Sequence, residues 1–162
     1  MISIQKGVGL MEVLVALILL SIAILGFVAL QVRAVAASNE ASMNIQATNI
    51  ARDLGERMRM NRSGVTEYKN ITSAPTKCAS EFCTPNEMAQ YDYAQVKSRA
   101  TNLGMDIDIL NCQGSTLVRK CVYVAWEGTT PTNGTGSPNC TNGTAYVGNA
   151  KCIIMEIYNY GS

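Results

Sequence analysis

An α+β fold is predicted, with one long N-terminal helix, half of it transmembrane, packed on a small antiparallel β-sheet head. Three observations predict it. The run from Val13 to Val32 holds no charged residue. The helical period continues beyond that run as an apolar stripe of Met43, Ala47, Ile50, Leu54 and Met58. The rest of the chain is rich in Asn, Thr, Gly and Ser, holds every cysteine, and ends in strand-like runs.

The apolar run comes first. Twenty residues span about 30 Å as a helix, which matches a bilayer core. A helix apolar on every side belongs in lipid or in a deep protein interior. A cleaved secretory signal would have a shorter apolar stretch and a small-residue cleavage site. Here the run is longer and passes without a break into a further helical pattern. An ordinary signal anchor accounts for the run but not for Gln5-Lys6-Gly7-Val8-Gly9-Leu10-Met11-Glu12 before it. Glu12 stands at the mouth of the run, where a carboxylate in lipid costs about 2.5–3.5 kcal/mol. Such a residue implies a partner. Lys6 favours a cytoplasmic N-terminus.

From Arg33 to about Asn61 the polarity rises while the period stays helical. The stripe is expected to be core, packed against the head. Arg52 with Glu56 and Asp53 with Arg57 are i,i+4 pairs worth tenths of a kcal/mol. Arg57, Arg59 and Arg62 suit the C-terminal end of a helix dipole, and Gly64 is the expected stop.

Residues 65–83 read as a loop containing Pro75. Thr84-Pro85-Asn86-Glu87 is a capping box with Pro at the first helical position. It opens a helix to about Leu103, closed by Gly104, with Ala89, Tyr93, Val96 and Ala100 on its buried face. Three strands follow. Met105 to Leu110 alternates apolar and acidic residues. Leu117 to Trp126 places Val118, Val122, Val124 and Trp126 on one face. Cys152 to Tyr158 places Ile153, Met155 and Ile157 on one face. Gln113-Gly114-Ser115 is a turn, and residues 127–149 read as a long exposed connection.

The six cysteines are Cys78, Cys83, Cys112, Cys121, Cys140 and Cys152, none of them in the apolar third. An even number confined to a polar region indicates disulfides and an oxidising compartment rather than buried thiols. Zinc is disfavoured, since there is no CxxC pair and no His. Six cysteines allow 15 connectivities. Proximity favours Cys78 with Cys83. Cys121 and Cys152 point away from the core faces of their strands and would bridge if neighbours in register, leaving Cys112 with Cys140.

The chain of 162 residues has a formal net charge of +1, which implies no nucleic-acid partner. Without His, the commonest general base is missing, and no phosphate-binding or dinucleotide motif occurs. Asp106 and Asp108 fit a solvated strand face better than a catalytic pair. No enzyme activity, cofactor or metal is expected. The basic residues of the head, such as Lys69, Lys97 and Arg119, are scattered, and the Asn-x-Ser/Thr triplets at Asn61, Asn70, Asn133 and Asn142 carry no weight in a polar chain.

Lys6-Gly7 followed by an apolar helix, with Glu12 five residues after the Gly, resembles the class III signal cut by prepilin peptidase. The resemblance implies a leader of residues 1–7, cleavage between Gly7 and Val8, N-methylation of Val8, and a subunit-assembly role for Glu12. Val8 stands where the family usually has Phe, and Gly9 where it has Thr or Ser. The run Ala51-Arg52-Asp53-Leu54-Gly55-Glu56-Arg57-Met58-Arg59-Met60-Asn61-Arg62 resembles the A-x-D-L-x-E-R-M-R-x-N-R run of PilV-type minor pilins, also called type IV pilus modification proteins. It implies the type IV pilin fold: a transmembrane half-helix over 8–32, a periplasmic half over 33–62 and a disulfide-containing head over 63–162. It also implies a minor pilin that joins or primes pilus assembly in a tip complex. The implied partners are prepilin peptidase, other minor pilins, the major pilin, the inner-membrane assembly platform and the inner membrane itself. The alternatives are a minor pseudopilin of a type II secretion or DNA-uptake filament, and a filament-displayed adhesin.

Overall fold

A computed structural model describes residues 9–69, 76–114 and 119–157. Gly7, Val8, Pro75, Val118 and Tyr158 therefore lie outside the described residues. Helix α1 (Leu10–Met60) is followed by a 3₁₀ turn (Arg62–Glu67), a second one (Thr76–Ala79) and helix α2 (Pro85–Asn102). Strands β1 (Met105–Asn111), β2 (Lys120–Trp126), β3 (Thr130–Asn133), β4 (Asn139–Asn142), β5 (Ala145–Tyr146) and β6 (Cys152–Ile157) complete the described chain. The expected α+β architecture is present: a long N-terminal apolar helix followed by a small antiparallel sheet head.

The chain forms two compact units, Met1–Ser42 and Met43–Ser162. In the first, the described residues are helical from Leu10, and the large apolar side chains from Leu10 to Val35 are exposed. By length and composition this stretch of α1 is apolar enough to cross a membrane.

In the second unit, α1 buries Ala47, Ile50, Ala51, Leu54, Gly55 and Met58. The expected stripe is thus the core face, with Met43 packed at its edge. The antiparallel sheet has the order β1-β2-β6. Its register sets Ile107 opposite Val124 and Ile109 opposite Val122, and Val124 opposite Ile153 and Val122 opposite Met155. Alternation then sends Met105, Ile107, Ile109, Val122, Val124, Trp126 and Ile157 into one core with the α1 stripe. A Cβ on Gly55 would stand 3.8 Å from Ile157 Cγ1 and 3.9 Å from Met155 Sδ, ordinary contact distances.

Helix α2 begins as its capping box requires. Thr84 Oγ1 accepts the Glu87 amide at 3.3 Å, and the Thr84 amide donates to Glu87 Oε2 at 2.9 Å. The Glu87 carboxyl is held at about 2, first by Lys77 and then by the Thr84 amide. The helix buries Ala89, Tyr93, Val96 and Ala100, and Gly104 follows it at φ 72°.

Three expectations need correction. Gly64 is not the stop of α1, which ends at Met60. Gly64 is instead a close-approach position: a Cβ there would lie 2.3 Å from the Pro85 carbonyl oxygen. Residues 127–149 are not a plain exposed connection. They hold β3, β4 and β5, with β3 parallel to β4 and β4 antiparallel to β5. This second sheet brings buried Cys140 to a second apolar cluster with Cys121 and Tyr123, flanked by Leu110, Cys112, Cys152 and Ile154.

The third correction concerns the disulfides, which join Cys78–Cys83, Cys112–Cys121 and Cys140–Cys152. Cys121 and Cys152 do leave the main core face, but they are not neighbours. Cys121 stands opposite Glu156, whereas Cys152 stands opposite Ala125. Four residues along a strand separate positions by about 13 Å, far beyond disulfide reach. Cys112 instead continues β1 beside β2, with its amide donating to the Arg119 carbonyl at 2.8 Å.

Candidate functional site

Two features of α1 carry the functional reading, one in each compact unit. The first is Glu12. It lies in the first turn of α1, where the helix dipole favours a carboxylate. Its amide donates to the Gly9 carbonyl at 2.9 Å, so the turn is formed at this residue. It is the only charged side chain from Leu10 to Val32.

The second feature is the joint between α1 and α2, built from the run at 51–62. Two turns of helix place Asp53 and Arg57 on one side. Arg57 Nε donates to Asp53 Oδ1 at 2.8 Å, and Arg57 Nη1 donates to Asp92 Oδ1 at 2.6 Å. Arg99 Nη1 donates to Asp53 Oδ2 at 2.6 Å. The Tyr68 hydroxyl donates to Asp92 Oδ2 at 3.2 Å. Burial, and then the Asp92 charge, raise the Tyr68 phenol above its ordinary range. Asn61 Nδ2 closes the end by donating to the Pro85 carbonyl at 2.7 Å.

The alternation inside the run is now explained. Ala51, Leu54, Gly55 and Met58 are core, Asp53, Arg57 and Asn61 fasten α2, and Arg52, Glu56, Arg59 and Arg62 are exposed. Glu56 is engaged by Arg59 at 2.6 Å, not by Arg52 as the spacing alone suggested.

Asp92, Arg99 and Tyr68 were missed as partners. A signal existed for Asp92, a carboxylate three residues after Ala89 in the apolar stripe of α2. Asp106 and Asp108 meet Lys97 at 3.6 Å and Lys69 at 3.1 Å.

An exposed apolar helix bearing one acidic residue near its start, running into the core of a disulfide-bonded α+β head, defines a membrane-anchored subunit class. A family model described as Tt1218-like, type IV pilin Tt1218, matches residues 29–94, less than half of the chain. The match supports a type IV pilin, a structural rather than enzymatic class whose members assemble with other pilins in a pilus. No curated protein and no solved structure matches the chain.

Proposed function

We propose that this chain is a minor pilin of the PilV type, which joins or primes the type IV pilus in a complex with other minor pilins. The observation that carries the reading is Glu12, a lone carboxylate at the start of an otherwise uncharged exposed helix. In lipid that carboxylate is costly. In a filament whose subunits pack their apolar helices side by side, it is compensated only by a cation at the same level. Cleavage after Gly7 creates that cation, the amine of Val8, four residues before Glu12. Prepilin peptidase is the partner that makes the cut and methylates the amine. Before assembly the chain sits in the inner membrane on residues 8–32, with a cytoplasmic N-terminus and a periplasmic head over 63–162, and engages the inner-membrane assembly platform.

Mass spectrometry of the mature chain tests the first step and should find an N-terminus at Val8 carrying one methyl group. Retention of Met1 defeats the processing reading. Glu12→Ala should insert, be cleaved and keep three disulfides, yet recover with other pilins at least about tenfold less, as expected for loss of one side of a buried pair. Normal piliation with that variant would refute the assembly role. Deleting the gene separates the filaments: loss of pili with intact secretion is expected, and the reverse selects the pseudopilus.

A further inference from the structure

We infer that Asn142 is a site of spontaneous deamidation and that the side chain of Asn133 holds this reaction in check. The chain contains two Asn-Gly pairs, Asn133-Gly134 and Asn142-Gly143. Asn133 ends β3, Asn142 ends β4, and both are exposed. A glycine after asparagine has no side chain to keep its nitrogen away from the asparagine carboxamide, and its backbone is free to bring the two together.

The chemistry needs only water. The Gly143 nitrogen gives up its proton to hydroxide and attacks Cγ of Asn142. The new N–C bond closes a succinimide ring, the Cγ–Nδ2 bond breaks, and the nitrogen leaves as ammonia with a proton returned by water. Water then opens the ring at either carbonyl and leaves aspartate or isoaspartate. Nothing is oxidised or reduced.

In the folded head the proton that must leave is already engaged. The Gly143 amide donates to Asn133 Oδ1 at 2.9 Å. The Thr141 hydroxyl donates to the same oxygen at 3.0 Å and fixes it in place. The other pair is held in return, because the Gly134 amide donates to the Thr141 carbonyl at 2.8 Å. Across the β3–β4 pairing, where Asn133 stands beside Thr141, each strand thus restrains the nucleophile of the other. The two restraints differ in kind. A backbone carbonyl holds Gly134, whereas one side chain holds Gly143, so Asn142 is the pair that a single side-chain change releases. The product matters to the fold. Asn142 faces Ala145 across the tight turn into β5, with Gly143 at φ 61°. Isoaspartate adds a carbon to the backbone there, at the end of the strand that carries Cys140, and sets a new negative charge in the turn.

The test ages the full oxidised chain in detergent at mildly alkaline pH. Digestion and fragmentation mass spectrometry place each amide-to-acid change, and isoaspartyl methyltransferase labelling counts isoaspartate. Asn133→Ala should deamidate at Asn142 about 3- to 10-fold faster than wild type, the factor expected for loss of one hydrogen bond. Asn133→Asp keeps an acceptor oxygen for the Gly143 amide and should age no faster than wild type. Trp126 emission and the disulfide count check that each variant is folded. An unchanged Asn142 rate in folded Asn133→Ala overturns the inference. So does an Asn133→Asp chain that ages as fast as Asn133→Ala. If Asn133→Ala does not fold, the wild type decides: Asn142 should deamidate at least about threefold more slowly in the native chain than in the same chain unfolded in urea, and equal rates overturn the inference.

Discussion

Removing the Arg57 guanidinium should loosen the head from its helix. Arg57 bridges Asp53 and Asp92 across the α1–α2 joint, and the Asp92 side chain is only 11% exposed. Arg57→Ala leaves that carboxylate with the Tyr68 hydroxyl, 3.2 Å away, as its remaining donor among the described residues. Breaking a fully buried ion pair from one side costs about 3–5 kcal/mol, and a hydrogen bond to a charged group contributes about 1.5–3 kcal/mol. The Arg57 side chain is 31% exposed, so water screens part of the interaction. The expected loss is about 2–3 kcal/mol. For a head of about a hundred residues that corresponds to roughly 8–20 °C in melting temperature. The assay is thermal unfolding of the oxidised full chain in detergent, followed by fluorescence of Trp126, the single tryptophan and a core residue. Arg59→Ala is the comparison, since the Arg59–Glu56 pair is 43% and 64% exposed and should cost under about 0.5 kcal/mol. Pairing Arg57→Ala with Asp92→Ala should cost less than the sum of the two single changes. Equal effects of Arg57→Ala and Arg59→Ala, or strict additivity in the pair, would refute the joint.

Gly64→Ala drives a methyl group into the Pro85 carbonyl and the Asn61 amide and should cost about 1–3 kcal/mol in urea unfolding, whereas Gly55→Ala meets only ordinary contacts and should gain up to about 1 kcal/mol of helix propensity. Opening the Cys140–Cys152 link with Cys140→Ala/Cys152→Ala should lower urea stability by about 3 kcal/mol and more than Cys78→Ala/Cys83→Ala, because Cys140 is fully buried in the second cluster and tethers the second sheet. Tyr68 and Tyr93 should resist ionisation above pH 10, because burial raises both phenols, with Asp92 adding to the first and Asp108 to the second. Their stability contribution is complete below the unfolded value of 10.0 and is lost as pH climbs toward their folded values, so phenolate absorbance should show two tyrosines appearing only together with unfolding.

Much of this architecture was legible in the residues because periodicity survives tertiary packing. The Met43–Met58 stripe repeats at three and four, and burial follows it. Thr84 to Glu87 announces α2 because the capping chemistry is local. Alternation in β1, β2 and β6 assigns the core face directly. What stayed hidden depends on register or on partners distant in sequence. β3, β4 and β5 are two to four residues long and lie among Asn, Gly, Thr and Pro, so no period forms. Disulfide partners beyond Cys78–Cys83 turn on register and on β4: four positions along the β2–β6 ladder separate Cys121 from Cys152, and their partners Cys112 and Cys140 come from the end of β1 and from β4. Asp92 stands in the apolar stripe of α2, but its partner Arg57 comes from another element, 35 residues away in sequence.

The disulfide order has a consequence for how the head is made. The three bonds close segments of separation 5, 9 and 12, and the intervals 78–83, 112–121 and 140–152 do not overlap. Each cysteine is joined to the next one along the chain. In a polypeptide that emerges progressively from its N-terminus, every bond can therefore close as soon as its own stretch is out, before the strands that follow exist. The interlocked pattern of 112 with 140 and 121 with 152 would have kept Cys112 waiting for β4 and Cys121 for the last strand, both open to mispairing in the interval. Nearest-neighbour oxidation needs no reshuffling step. Short loops contribute only about 2–3 kcal/mol each, and in return each bond can close in chain order, without waiting for residues beyond its own loop.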